Sequence, residues 1–169
     1  PGMGRTRLLA EIGRRKELDG GRVLTGACQP LREPFPYGPI LEALRAVGDT
    51  PLGPLSPVAG VLRPLLPELA EALPERPEPL ADPVAERHRV FRAVRELLHA
   101  CGPALVLIDD LQWADEDTRD LMRFLAGSMP PELAVVATYR SATDVRPGPL
   151  GAPFRTDPAV HSARVALGA

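Results

Sequence analysis

The chain has 169 residues, 44% of them hydrophobic and 25% charged, with a formal net charge of -2. That is enough apolar material for one globular domain with its own core, and it excludes a disordered segment. Basic residues are scattered, so there is no electrostatic footprint for nucleic acid or an anionic membrane, and neither is expected to bind this segment directly. The two cysteines, Cys28 and Cys101, show no metal-ligand spacing, and no signal-peptide pattern or long apolar span occurs. A cytoplasmic protein with reduced thiols is the expectation.

In chain order, Leu8, Leu9, Ile12 and Leu18 recur at helical spacing and predict a helix from about Thr6 to Asp19, closed by Gly20-Gly21. Residues 22–28 then read as a strand. Prolines and Gly38 make 29–39 a loop, after which Ile40, Leu41, Leu44 and Val47 predict a short amphipathic helix. Prolines recur through about 48–82, cutting it into turns and short helical pieces such as Val58 to Leu66. Leu62, Leu65, Leu66, Leu69 and Leu73 are too many for a solvated spacer, so this stretch reads as an insertion packed on the core of one domain spanning 1–169.

Asp82 and Pro83 form a helix start, N-cap then first-turn proline, with Val90, Phe91, Val94, Leu97, Leu98 and Cys101 as the apolar face. Gly102-Pro103 ends that helix. Residues 104–109 form a short apolar run suited to a strand buried on both faces, typical of a parallel sheet. Asp115 reads as the N-cap of a further helix, with Glu116 and Asp117 matched to the helix dipole and Leu121, Phe124 and Leu125 facing inward until Gly127. Residues 133–139 are another apolar strand, ending at Arg140. Residues 141–159 read as loop and 162–167 as a last strand.

Two motifs carry chemistry. The run from Ala104 ends in the paired carboxylates Asp109 and Asp110, followed by Leu111-Gln112-Trp113-Ala114-Asp115; an apolar strand ending this way is how many NTPases hold a Mg–nucleotide. At the start of the chain, Gly2-Met3-Gly4-Arg5-Thr6 runs directly into a helix and matches the tail of the phosphate-binding pattern G-x-x-x-x-G-K-[ST]. In that pattern backbone N–H groups wrap the phosphates, a lysine reaches the outer oxygens and the hydroxyl binds Mg. The helix dipole adds to the charge of Arg5 at the anion. Arg5 stands at the lysine position, where a planar fork replaces a compact ammonium; this bears on hydrolysis more than on binding. The pattern's first glycine would fall two residues before Pro1, and the strand leading into the loop would lie upstream. The expected fold is therefore an α/β P-loop NTPase, a three-layer parallel sheet with helices on both faces, truncated before its first strand. Residues 1–169 alone are then expected to be poorly stable, since inner sheet edges lose a partner.

Together, G-M-G-R-T-R-L-L-A-E, L-V-L-I-D-D-L-Q-W-A-D and the strand end A-T-Y-R resemble the STAND branch of AAA-type ATPases, particularly the ATPase module of large LuxR-type transcriptional regulators. The resemblance extends through Cys28, Pro36-Tyr37-Gly38-Pro39 and Glu86-Arg87-His88-Arg89-Val90-Phe91. It implies ATP and Mg2+ as cofactors, with Gly2, Met3, Gly4, Arg5, Thr6 and Arg7 contacting nucleotide and Thr6 with Asp109 on the Mg side. Asp110 matches the position that orients or activates water, and Arg140 the position that senses the γ-phosphate. Arg140 reads equally as a surface arginine after a strand. Gln112 stands where relatives often have histidine. Trp113 is expected to fill a packing gap, not to stack on a base. The resemblance further implies a nucleotide switch controlling an output domain outside this segment, such as a DNA-binding helix-turn-helix, with self-association as a further expectation. The alternative is a degenerate module serving as an interaction or oligomerisation platform.

Overall fold

The structure is a computed structural model, and it describes residues 4–32, 35–48 and 51–140. Among these, seven regular elements lie in the order α1 (Arg5–Leu18), β1 (Arg22–Ala27), α2 (Gly38–Arg45), α3 (Pro83–Ala100), β2 (Ala104–Asp109), α4 (Glu116–Gly127) and β3 (Leu133–Ala137). Two short 3-10 helices, Pro57–Leu62 and Pro67–Leu69, sit between α2 and α3. The expected last strand at 162–167 and the loop before it lie outside the described residues, as do Gly2 and Met3.

The three strands form one parallel sheet in the order β1-β2-β3. Ala27 pairs with Asp109 at one end of the first ladder and Ala104 with Leu133 at the start of the second. The strands therefore run the same way, and the carboxylates of Asp109 and Asp110 fall at the carboxyl edge of the central strand, where ligands bind in open α/β sheets.

Alternation along β2 divides the core into two layers. Leu105 and Leu107 face α1, packing with Leu9, Ile12, Val23 and Val136. Ala104, Val106 and Ile108 point the other way, into a larger core with Leu24, Ile40, Leu41, Leu44, Phe91, Val94, Leu97, Leu98, Leu121 and Leu125. Helices therefore cover both faces, as the sequence pattern predicts for a strand with no polar side. Leu62, Leu66, Leu69 and Leu73 are buried in the larger core and Leu65 packs against it. The Pro-rich stretch folds as turns and 3-10 pieces because its prolines remove the donors a longer α-helix would need.

Local chemistry sets the helix boundaries. The Asp82 carboxylate accepts from the Val84 N–H at 3.0 Å and Pro83 follows as the first helical residue of α3. At α4 the Asp115 carboxylate accepts from the Thr118 N–H at 2.8 Å, with Glu116 and Asp117 in the first turn. Arg87 on α3 reaches across to both Asp117 and Asp120 of α4 at 2.7 Å. Beneath these ion pairs, Phe91 meets Tyr37 edge-on at 5.9 Å and lies 5.6 Å from Phe124. His88 also belongs to this cluster, 5.3 Å from Phe124.

Two expectations are corrected. β3 ends at Ala137 instead of continuing to Tyr139, because the ladder becomes irregular opposite the left-handed Asp110: the Thr138 N–H donates to the Ile108 carbonyl at 2.9 Å, but the Thr138 carbonyl accepts from the Leu111 N–H at 2.8 Å. Trp113 is not a gap filler. It lies 46% exposed, since the 3-10 turn Leu111–Trp113 buries Leu111 and leaves the indole outside.

Candidate nucleotide-binding site

Gly4 precedes α1 in the left-handed conformation, φ 67° and ψ 11°, a backbone state glycine reaches without the strain of a Cβ. The first turn of α1 has no side-chain cap and no acidic residue. Its unpaired backbone N–H groups and the positive end of its dipole thus face out of the helix uncompensated, an arrangement that favours an anion. Arg5 and Thr6 occupy this first turn, and Arg7 is exposed beside them.

The hydroxyl of Thr6 donates to Asp109 Oδ2 at 2.7 Å, joining residues 103 apart in sequence. On its other oxygen, Asp109 accepts from the Asp110 N–H at 2.9 Å and from the Thr138 hydroxyl. Partial burial pushes the Asp109 carboxyl up, yet the hydrogen bonds from Thr138, Thr6 and the Asp110 N–H, with the charge of Arg5, hold it below the ordinary aspartate value. It is therefore an anion with a fixed orientation at neutral pH.

Asp110 adopts the left-handed conformation, φ 53° and ψ 44°, which aspartate tolerates better than most side chains. Its N–H is shared between Asp109 Oδ1 and Thr138 Oγ1, the latter at 3.1 Å. Its carboxylate accepts from Gln112 Nε2 at 2.9 Å. The carboxamide oxygen of the same Gln112 accepts from the Arg140 N–H at 2.8 Å. Arg140 is therefore brought to the site by its backbone, beside the end of β3.

Cys28, just after β1, donates its backbone N–H to the Asp109 carbonyl at 3.0 Å. Burial pushes its thiol up to about 12, reinforced by the negative charges of Asp115, Asp110, Asp109 and Glu42. The thiol therefore stays protonated at neutral pH. Both Cys28 and Cys101 are free and buried. Glu42 of α2 accepts from the Ala27 N–H at 3.0 Å, closing the adjacent strand end.

The structure thus brings together Gly4, Arg5, Thr6, Asp109, Asp110 and Arg140 from three separate segments, while Gly2 and Met3 lie outside the described residues. Reading the sequence missed Thr138 and undervalued Gln112. The signal for Thr138 was the hydroxyl in A-T-Y-R, one position beyond a strand that neighbours Asp109; for Gln112 it was a side chain with both donor and acceptor two residues after Asp110.

One hydroxyl and one carboxylate at the edge of an anion-ready helix start make a donor set suited to a hard cation that takes its remaining ligands from phosphate oxygens and water. The residues present therefore fit a Mg–nucleotide. No helix among the described residues is long and apolar enough to cross a membrane.

Comparison with known proteins agrees with this geometry. The chain is similar to a long, uncharacterized protein of Rhizobium meliloti (strain 1021), 29% identical over 138 residues, covering 72% of this chain but 13% of the relative. The chain thus spans a small part of the curated relative it matches. No solved structure matches it. The family model described as AAA ATPase domain matches residues 1–136, taking in the phosphate-loop tail, the acidic strand end and most of β3. With the parallel sheet covered on both faces, that match places the chain in the AAA ATPase domain family, a P-loop NTPase fold whose members use nucleotide, usually with Mg2+.

Proposed function

We propose that this domain binds Mg–ATP where α1 begins and β2 ends, and that slow hydrolysis or ADP exchange there biases a conformational equilibrium. That equilibrium would control an output domain elsewhere in the polypeptide. The observation that carries the reading is the 2.7 Å contact between Thr6 and Asp109, which unites the two motifs. In this reading Gly2, Met3, Gly4, Arg5, Thr6 and Arg7 contact the phosphates, and Thr6 with Asp109 holds the cation. A bound cation would supply charge neutralisation at the outer phosphates. Asp110 receives a proton from water as the water oxygen bonds to the γ-phosphorus; the bond to the bridging oxygen breaks, giving ADP and phosphate. Arg140 senses the γ-phosphate.

The STAND assignment, and a LuxR-type regulator with a DNA-binding output domain, rest on G-M-G-R-T-R-L-L-A-E, L-V-L-I-D-D-L-Q-W-A-D and A-T-Y-R together. That the relative is much longer than the matched segment supports a module that works within a larger chain. One observation favours a second reading, an interaction or oligomerisation platform without turnover: Arg5 occupies the lysine position of the phosphate loop. An arginine fork bonds phosphate in a different geometry from an ammonium.

Titration of a fluorescent ATP analogue into the full-length protein, with and without Mg2+, tests the reading. Binding is expected to need Mg2+ and to weaken about 10-fold or more in Asp109→Ala, the scale expected when a charged partner of a polar ligand is removed. A folded protein that binds no nucleotide, while its Arg5→Lys variant does, would overturn it in favour of the platform.

A further inference from the structure

Gln112 bridges the Asp110 carboxylate and the backbone of Arg140. Its Nε2 donates to Asp110 Oδ1 at 2.9 Å and its Oε1 accepts from the Arg140 N–H at 2.8 Å. Both ends of one planar amide are thus engaged, so its own orientation is fixed by the pair. Asp110 needs such a restraint. Its backbone is left-handed, its N–H is spent on Asp109 and Thr138, and nothing in the turn itself determines where its carboxylate points.

We infer that Gln112 is a positioning residue for hydrolysis: it aims the Asp110 carboxylate at the attacking water and ties that aim to the segment just after β3 that carries Arg140. The inference rests on the assignment of Asp110 under the proposed function and extends it to a residue outside the metal and phosphate contacts. With Oδ1 held by the amide, the carboxylate offers its second oxygen to water in a single orientation. A misplacement of about 1 Å at such a group can cost on the order of 100-fold in rate. The same tether makes Asp110 sensitive to movement of β3, because a shift at Arg140 is passed through a rigid amide about one side chain long. Gln112 contacts neither proposed metal ligand, so its loss should leave nucleotide affinity intact.

Side-chain chemistry sorts the variants. Gln112→Glu keeps the length and the acceptor for the Arg140 N–H but replaces the donor with an anion facing Asp110. Gln112→Met keeps the volume and loses both bonds. Gln112→His retains one donor and one acceptor across a neutral ring, so it can remake the bridge.

Steady-state hydrolysis by the full-length protein, with Mg–ATP affinity measured on the same samples, provides the test, and Asp110→Asn fixes the floor. Gln112→Glu and Gln112→Met are expected to lower kcat about 10-fold or more, a positioning effect, with KM and affinity changed less than about 2-fold. Gln112→His is expected to recover most of that loss. Glu and Met variants that keep wild-type kcat while Asp110→Asn abolishes it would overturn the inference and leave the assignment of Asp110 standing. Turnover that survives Asp110→Asn, or a wild-type protein that binds Mg–ATP without turnover, would overturn both. A parallel loss of affinity and thermal stability in Glu, Met and His variants alike would show a structural role and overturn positioning.

Discussion

Thr138 joins the end of β3 to the acidic pair on β2: its hydroxyl donates to Asp109 and its oxygen accepts from the Asp110 N–H at 3.1 Å. The residue is 9% exposed, so water does not readily replace either bond. Thr138→Val keeps the shape and removes both. The Asp109 carboxylate then loses a donor it needs to remain a well-oriented anion, and the fold is expected to lose about 1–2 kcal/mol, the usual cost of removing a buried hydrogen-bond partner. Urea denaturation should show the loss, and Mg–ATP titration a weaker affinity; a variant with unchanged midpoint and affinity would mean that Thr138 only fills space. At this scale the sequence was legible where chemistry is local. Asp109 stands out because five apolar residues lead into it directly after Gly102-Pro103. Thr138 was obscure because Asp109 lies 29 residues away, and Gln112 because its second partner, Arg140, lies 28 away; only pairing of β2 with β3 brings them within reach.

The elements behave likewise. α3 and α4 could be placed from Asp82-Pro83 and Asp115, whose carboxylates cap the residues a few positions on. The turn at Trp113 could not, because its direction depends on the left-handed backbone of Asp110 and on the bond from Leu111 to Thr138. Gly26 in β1 was equally silent, yet it governs how α2 docks. A Cβ on Gly26 would sit 1.9 Å from the Pro39 carbonyl oxygen, a backbone atom that cannot yield alone. On Gly13 of α1 it would meet the Leu107 and Val23 side chains at 3.1 and 3.4 Å, which can adjust. Gly26→Ala is therefore expected to cost about 3 kcal/mol or more by forcing α2 off the sheet, the upper range for overpacking. For Gly13→Ala, a helix-propensity gain of up to about 1 kcal/mol offsets the crowding. Thermal melts of the two variants should differ accordingly, and equal melting temperatures would show that α2 is free to shift.

On the scale of the whole molecule, the described residues cover the two faces of the sheet unequally. Among the described residues α1 packs alone on its face, through Leu9 and Ile12 against Leu105, Leu107 and Val136, while the opposite face carries the large core and the 3-10 segments. The thin layer is anchored at its functional end by Thr6 on Asp109. A ligand seated there would bridge α1 to β2 and strengthen the weaker layer, leaving the thicker one as it was. At a Mg–ATP concentration about 100 times Kd, mass action adds about 2.7 kcal/mol to any opening that must first release the ligand, or about 100-fold slower amide exchange. Hydrogen exchange on the full-length protein should therefore slow in Arg5–Leu18 and Ala104–Asp109 when Mg–ATP is added, and stay unchanged in Pro57–Leu62 and Pro67–Leu69. The effect should vanish with EDTA or in Asp109→Ala. Slowing that appears equally in the 3-10 segments would place the ligand's grip in the large core, and would contradict a site built where α1 meets β2.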